Sequence, residues 1–179
     1  MLIKLKDGRT LDISTPKLAA YKLAINSKNG SKSYVVSSYQ LKVYDERKLV
    51  GNINVRRPMT MHRFYYSKHV GETGYYIAKE FRGTGLSYFL LYSIGTFVAK
   101  KGVELILASI EPKNLASVRV FKNCGGKEVG VFKRVIKTRK GYEDRMWFSV
   151  PTERLVKNSM RIWQKKGVKI VKKQPFSIA

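Results

Sequence analysis

The sequence predicts an α/β or α+β sheet protein, and three features carry that reading. Before Arg56, short runs of alternating polar and apolar residues meet at tight-turn residues. From Tyr75 onward a strand, a glycine turn and a helix follow one another directly. A nearly continuous apolar run, Glu104 to Ile110, then leads into a second helix and two more strands. With 179 residues and 44% hydrophobic content the chain suits one domain with a sizeable core, which excludes intrinsic disorder despite the charge.

Leu2 to Lys6 and Arg9 to Ile13 alternate around Asp7-Gly8, a dipeptide that readily supplies the positive dihedrals of a hairpin turn. Thr15 as N-cap and Pro16 at the first helical position precede Leu18, Ala19, Tyr21, Leu23 and Ala24, which predicts a short helix ending in a polar loop. Tyr39 to Tyr44 and Lys48 to Val55 alternate around Asp45-Glu46-Arg47 and predict a second hairpin. Arg56 to Glu72 has no clear period and reads as loop with room for a strand.

Tyr75 to Ala78 reads as a strand and Arg82-Gly83-Thr84-Gly85 as a turn. Leu86, Phe89, Leu90, Ile94, Phe97 and Val98 form an apolar stripe at helical spacing that ends before Gly102. Glu104 to Ile110 suits a strand buried on both faces. Pro112 and Asn114 open a second helix, which Gly125-Gly126 stops. Strands follow at Glu128 to Thr138 and Arg145 to Val150. Beyond Pro151, the residues Leu155, Met160, Ile162 and Trp163 predict an amphipathic helix with Arg154, Lys157, Arg161, Lys165 and Lys166 on its polar side; Lys169, Lys172 and Lys173 follow. The expected organisation is a domain over 1–150 and a basic extension over 151–179, helical and packed on that domain.

Lys and Arg number 36 against 12 Asp and Glu, a formal charge of +24, which favours a polyanionic partner. Nucleic acid comes first and an anionic membrane second; Phe64-Tyr65-Tyr66 between Arg63 and Lys68 suits base stacking. The longest apolar run, Tyr88 to Val98, falls short of the roughly 18 residues of a membrane span. Met1 to Ile13 lacks the features of a secretory signal. With Cys124 as the only cysteine there is no internal disulfide, and a cytoplasmic location is expected. His62 and His69 have only Glu72 as a nearby carboxylate, so no metal site is expected.

The turn Arg82-Gly83-Thr84-Gly85 lies where a strand meets a helix, so its amides and the helix dipole suit an anion, with phosphate the natural occupant. It is neither a nucleotide P-loop nor a dinucleotide fingerprint. Taken with Tyr75 to Ser87, the strand Leu105-Ile106-Leu107-Ala108, Asn114-Leu115-Ala116-Ser117 and Phe121-Lys122-Asn123-Cys124-Gly125-Gly126, it resembles the GNAT superfamily of N-acetyltransferases. The resemblance spans roughly Lys48 to Val150. Its most specific pieces are the Arg/Gln-x-x-Gly-x-Gly/Ala loop, and an Asn followed seven positions later by an aromatic residue, here Asn114 and Phe121.

That resemblance implies a mixed, mostly antiparallel central sheet flanked by helices, and acetyl-CoA as cofactor. It implies that the amides of Arg82, Gly83, Thr84, Gly85, Leu86 and Ser87 hold the pyrophosphate. The strand at Ile77 and Ala78 would pair with the pantetheine arm, and the helix carrying Asn114 and Phe121 would flank the thioester. Two residues depart from the family pattern: Ser87 replaces the usual second Gly or Ala, and Phe121 stands where many members carry a tyrosine thought to protonate the departing thiolate. A phenyl ring has no proton to give, so a water or a neighbouring tyrosine would serve. The catalytic candidates are Glu72, Tyr75 and Tyr76; the two tyrosines fall on opposite faces of their strand. The expected activity is acetyl transfer to a primary amine carried on or near nucleic acid. The alternatives are a catalytically weakened nucleic-acid-binding member and an acetyltransferase of a protein or small-molecule amine. A homodimer is among the expected partners.

Overall fold

Asp7-Gly8 closes the first hairpin. β1 (Leu2–Lys4) and β2 (Thr10–Ile13) pair antiparallel, and Gly8 takes φ +93°, which a glycine adopts without steric cost. The computed structural model describes residues 1–27, 30–56, 69–139 and 141–172. Arg57, Pro58, His62, Arg63, Phe64, Tyr65, Tyr66 and Lys68, to which the sequence reading gave a loop and a stacking patch, lie outside them, as do Lys140 and Lys173.

The helix expected from Thr15 to Ala24 is instead a strand. β3 (Lys17–Ser27) runs antiparallel to β4 (Gly30–Asp45), in register from Lys17↔Gln40 to Ser27↔Gly30. An N-cap contributes only about 1 kcal/mol, whereas Ala19, Tyr21, Leu23 and Ile25 also alternate with period two and join a long continuous ladder. Asn26, Ser27 and Gly30, part of the polar stretch read as a helix stop, belong to the paired ends of β3 and β4.

The second expected hairpin is present as β4 and β5 (Lys48–Arg56). Next come β6 (Val70–Ile77), a 3-10 turn at Lys79–Phe81, α1 (Leu86–Ala99), β7 (Leu105–Ile110), α2 (Leu115–Asn123), β8 (Lys127–Thr138), β9 (Gly141–Pro151), α3 (Thr152–Lys165) and β10 (Lys169–Lys172). The strands form one sheet in the order β10-β1-β2-β4-β5-β6-β7-β9-β8, with β3 on β4. Its ladders are antiparallel except β6 with β7, which is parallel. This is the mixed, mostly antiparallel sheet expected.

One face of the sheet carries the core. Ile53, Val55, Ile77, Ile106, Ala108, Phe148 and Val150 are buried there. Phe121 of α2 stacks on Phe148 at 6.3 Å, and Phe89 of α1 meets Trp163 of α3 edge-on at 5.2 Å. Gly95 allows α1 and α3 to approach: a Cβ there would lie 2.9 Å from Leu155 and Val156. β7 was expected to be buried on both faces. Ile106, Ala108 and Ile110 are buried, but Leu105, Leu107 and Ser109 are only half covered, because the helix contacts described fall on the other face. The residues after Pro151 join the sheet through α3, packed on α1, and β10, paired with β1.

Candidate functional site

Parallel pairing of β6 with β7 runs from Val70↔Leu105 to Thr73↔Ala108 and then stops, although β6 continues to Ile77 and β7 to Ile110. The two strands part, and a cleft of about 290 Å³ opens between them, lined by Gly74, Tyr75, Ser109, Glu111, Ser117 and Phe121 among others. On its other side β6 stays paired with β5, and the Ala78 amide donates to Val50 O at 2.8 Å. Strand alternation therefore turns the backbone groups of Tyr75 and Ile77 away from β5, toward the cleft. The Ile77 carbonyl accepts from Arg82 Nε at 3.2 Å. Ala78 is engaged with β5 and the Ile77 carbonyl with Arg82, so within the pair Ile77 and Ala78 it is the Ile77 amide that turns to the opening.

The three catalytic candidates are separated by the strand. Tyr75 lies over α2, its ring stacked 6.4 Å from that of Phe121 and its hydroxyl donating to Ser117 Oγ at 3.3 Å. Burial pushes its phenol up to about 12, against a smaller opposing effect of the Ser117 hydrogen bond. Tyr76 is 52% exposed on the opposite face. Glu72 does not line the cleft; Arg56 grips it through Nη2 at 2.8 Å and Nε at 3.2 Å. Phe121 is 2% exposed, held between Tyr75 and Phe148. Asn114 caps α2, its side chain accepting from the Ser117 amide at 3.2 Å, and it too lines the cleft. Cys124, the C-cap of α2, is fully buried, and burial raises its thiol to about 12.

Arg82 to Ser87 forms the turn into α1. Gly83 and Gly85 take φ +78° and +94°, and Gly85 is the N-cap of the helix. Thr84 Oγ1 donates to Phe81 O at 2.7 Å and braces the loop. Among the described residues, the amides of Gly83, Thr84, Gly85 and Ser87 have no acceptor, whereas Arg82 donates to Lys79 O and Leu86 makes a long contact of 3.4 Å with Thr84 Oγ1. Four donors at a helix N-terminus form a concave site for an oxyanion. The two glycines serve different ends. Nothing lies within 4 Å of a Cβ at Gly83, whereas one at Gly85 would lie 2.7 Å from Lys166 Cβ. A second cleft of about 500 Å³ adjoins the loop, lined by Lys6, Asp7, Gly83, Thr84, Lys165 and Lys166.

A family profile described as Acetyltransferase (GNAT) domain matches residues 17–147. The chain belongs to the GNAT acetyltransferase family. The acetyl donor of GNAT enzymes is acetyl-CoA. The solved structures agree in fold. RimJ of Mycobacterium smegmatis in complex with CoA-disulfide matches with a TM-score of 0.59 at 17% identity, covering 74% of this chain and 62% of that one. Ribosomal-protein-alanine N-acetyltransferase from Brucella melitensis matches at 0.55 and 24%, covering 64% and 68%. An N-acetyltransferase from Staphylococcus aureus matches at 0.57 and 17%, covering 64% and 68%. This GNAT chain thus spans somewhat under two thirds of the RimJ chain. No curated protein sequence matches it. Among the described residues no helix is long and apolar enough to cross a membrane, and no group of His, Cys, Asp and Glu could hold a metal ion.

The sequence reading missed Gly74, Ser109 and Glu111 in the strand cleft and Lys6, Lys165 and Lys166 at the loop. No motif marks the first three: they line the cleft only because two strands stop pairing. The lysines were counted as charge, and nothing in their spacing places both ends of the chain beside Gly83.

Proposed function

We propose that this protein acetylates a primary amine presented on or beside nucleic acid, with transfer taking place where β6 and β7 part. The observation that carries this reading is that one chain holds both the unbonded amides of Gly83, Thr84, Gly85 and Ser87 and, on the strand just before them, an opening lined by Tyr75. Acetyl-CoA supplies an acetyl group activated as a thioester. The loop amides hold its diphosphate, and the backbone of Tyr75 with the Ile77 amide continues the β6 ladder with its arm. Tyr75 OH, turning its one proton away from Ser117 Oγ, donates a hydrogen bond to the departing sulfur, the role Phe121 cannot fill. Glu111 lines the same cleft and has no cation within 4 Å among the described residues. It receives the amine proton directly or through one water, a better placed carboxylate than Glu72.

The charge selects the class of acceptor. At +24 the protein repels a free basic protein, and an exposed row of Arg154, Lys157 and Arg161 follows one side of α3. Some fold neighbours are named for acetylating ribosomal-protein alanine, and such an amine displayed on RNA would meet the same electrostatic demand.

Labelled acetyl transfer to aminoacyl-tRNA, ribosomal particles, free proteins and small amines tests the reading side by side. Label is expected in the RNA-associated amines, falling with added salt and with charge reversal at Arg154, Lys157 and Arg161. Equal, salt-insensitive labelling of free amines would support the small-molecule alternative. Cofactor binding without transfer to any acceptor would support the catalytically weakened one.

A further inference from the structure

Three segments far apart in sequence close around the glycine loop. A Cβ at Gly85 would lie 2.7 Å from Lys166 Cβ, and one at Gly167 would lie 3.3 Å from Lys6 Cβ. The β1–β2 hairpin, the loop and the turn between α3 and β10 therefore press together almost backbone to backbone. Arg9 straps the hairpin to the loop by bonding Glu80 O at 3.1 Å and lying 4.2 Å over the Phe81 ring. The contacts bring Lys6, Lys165 and Lys166 to the rim of the 500 Å³ cleft that Gly83 and Thr84 floor. None of the three lysines has a carboxylate within 4 Å among the described residues. Asp7, the one acid lining the cleft, is held by Arg9 at 2.6 Å, which keeps its carboxyl below its ordinary range.

Three unpaired ammonium groups exceed what a diphosphate seated on four amides requires. We infer that Lys6, Lys165 and Lys166 bind the 3′-phosphate on the adenosine of coenzyme A, so that the two chain ends select the 3′-phosphorylated cofactor. The inference rests on the proposed acetyl-CoA site and adds a specificity element outside the glycine loop. It also divides the C-terminal charge: Lys165 and Lys166 serve the cofactor, while Arg154, Lys157 and Arg161 on the outer side of α3 stay available to nucleic acid. A plain alternative is that Lys165 and Lys166 only complement the negative end of the α3 dipole, a role indifferent to the 3′-phosphate.

Calorimetric titration of the whole protein with CoA and with 3′-dephospho-CoA separates these readings. The parent is expected to prefer CoA by about 10- to 100-fold, the scale of one or two charge-assisted hydrogen bonds. A Lys6→Gln, Lys165→Gln, Lys166→Gln variant keeps much of each stem and removes the charge. Its preference should fall to within about threefold through loss of CoA affinity, with dephospho-CoA binding little changed. Single variants Lys6→Gln and Lys165→Gln, each with its melting curve, carry the test if the triple variant folds poorly, each lowering the preference in part. Equal loss for both ligands would place the lysines on the diphosphate and overturn the inference, as would no loss at all. Failure of the parent to bind either ligand would remove the acetyl-CoA reading itself and the inference with it.

Discussion

The Tyr75 hydroxyl donates to Ser117 Oγ at 3.3 Å while the Tyr75 ring stacks 6.4 Å from Phe121, so the phenol at the parting strands belongs to β6 and the phenyl ring to α2. If that hydroxyl assists departure of the thiolate, Tyr75→Phe should lower kcat by about 10²-fold while KM for acetyl-CoA changes little. Ser117→Ala, which removes only the hydroxyl's acceptor, should have a smaller effect. Steady-state kinetics check both, and an unchanged kcat in Tyr75→Phe would reduce Tyr75 to packing.

Tyr75 also gives stability a signature at high pH. Burial raises its phenol from 10 to about 12 in the folded state, so the fold favours the protonated form. The contribution is complete below pH 10 and is lost as pH rises from 10 through 12. Denaturant unfolding of the parent should therefore fall more steeply over that window than that of Tyr75→Phe, by at most about 2 to 3 kcal/mol. Parallel curves for the two proteins would contradict the burial argument.

Much of this was legible in the chain because the signals were local. Asp7-Gly8, the period-two runs around Asp45-Glu46-Arg47 and the helical stripe from Leu86 to Val98 each determine their own element. Lys17–Ser27 misled because its Thr15-Pro16 cue is helical at short range, while its strand state depends on pairing with β4. The glycine loop could be read from composition and position. The strand cleft could not, since it depends on where the β6–β7 ladder stops. Nor could the placing of Lys6 beside Lys166, which depends on β10 returning to β1.

The two loop glycines should respond differently to alanine. Gly83→Ala meets open space and bears only the strain of φ +78°, about 1 to 2 kcal/mol. Gly85→Ala adds a collision with Lys166 Cβ at 2.7 Å to the strain of φ +94°, and overpacking costs about 1 to 3 kcal/mol more. Denaturant titration should rank Gly85→Ala the less stable of the two. In Gly83→Ala the acetyl-CoA-induced rise in Tm should shrink although the fold persists, because its Cβ points into the space assigned to the ligand.

Cys124 should be inert in the native protein. It is fully buried and its thiol is raised to about 12, so almost no thiolate is present near neutral pH. An aromatic disulfide reagent at pH 8 should label it only as fast as the protein opens, with complete labelling in denaturant. Prompt stoichiometric labelling of the native protein would contradict its burial at the end of α2.

Backbone hydrogen exchange with and without saturating acetyl-CoA addresses the central claim most directly, because it reports where the cofactor sits independently of turnover or acceptor. The account predicts slowed exchange at Gly83, Thr84, Gly85 and Ser87 and along the free edge of β6 at Tyr75 and Ile77, with little change on the exposed side of α3. Binding that leaves the loop and the β6 edge unprotected would contradict it.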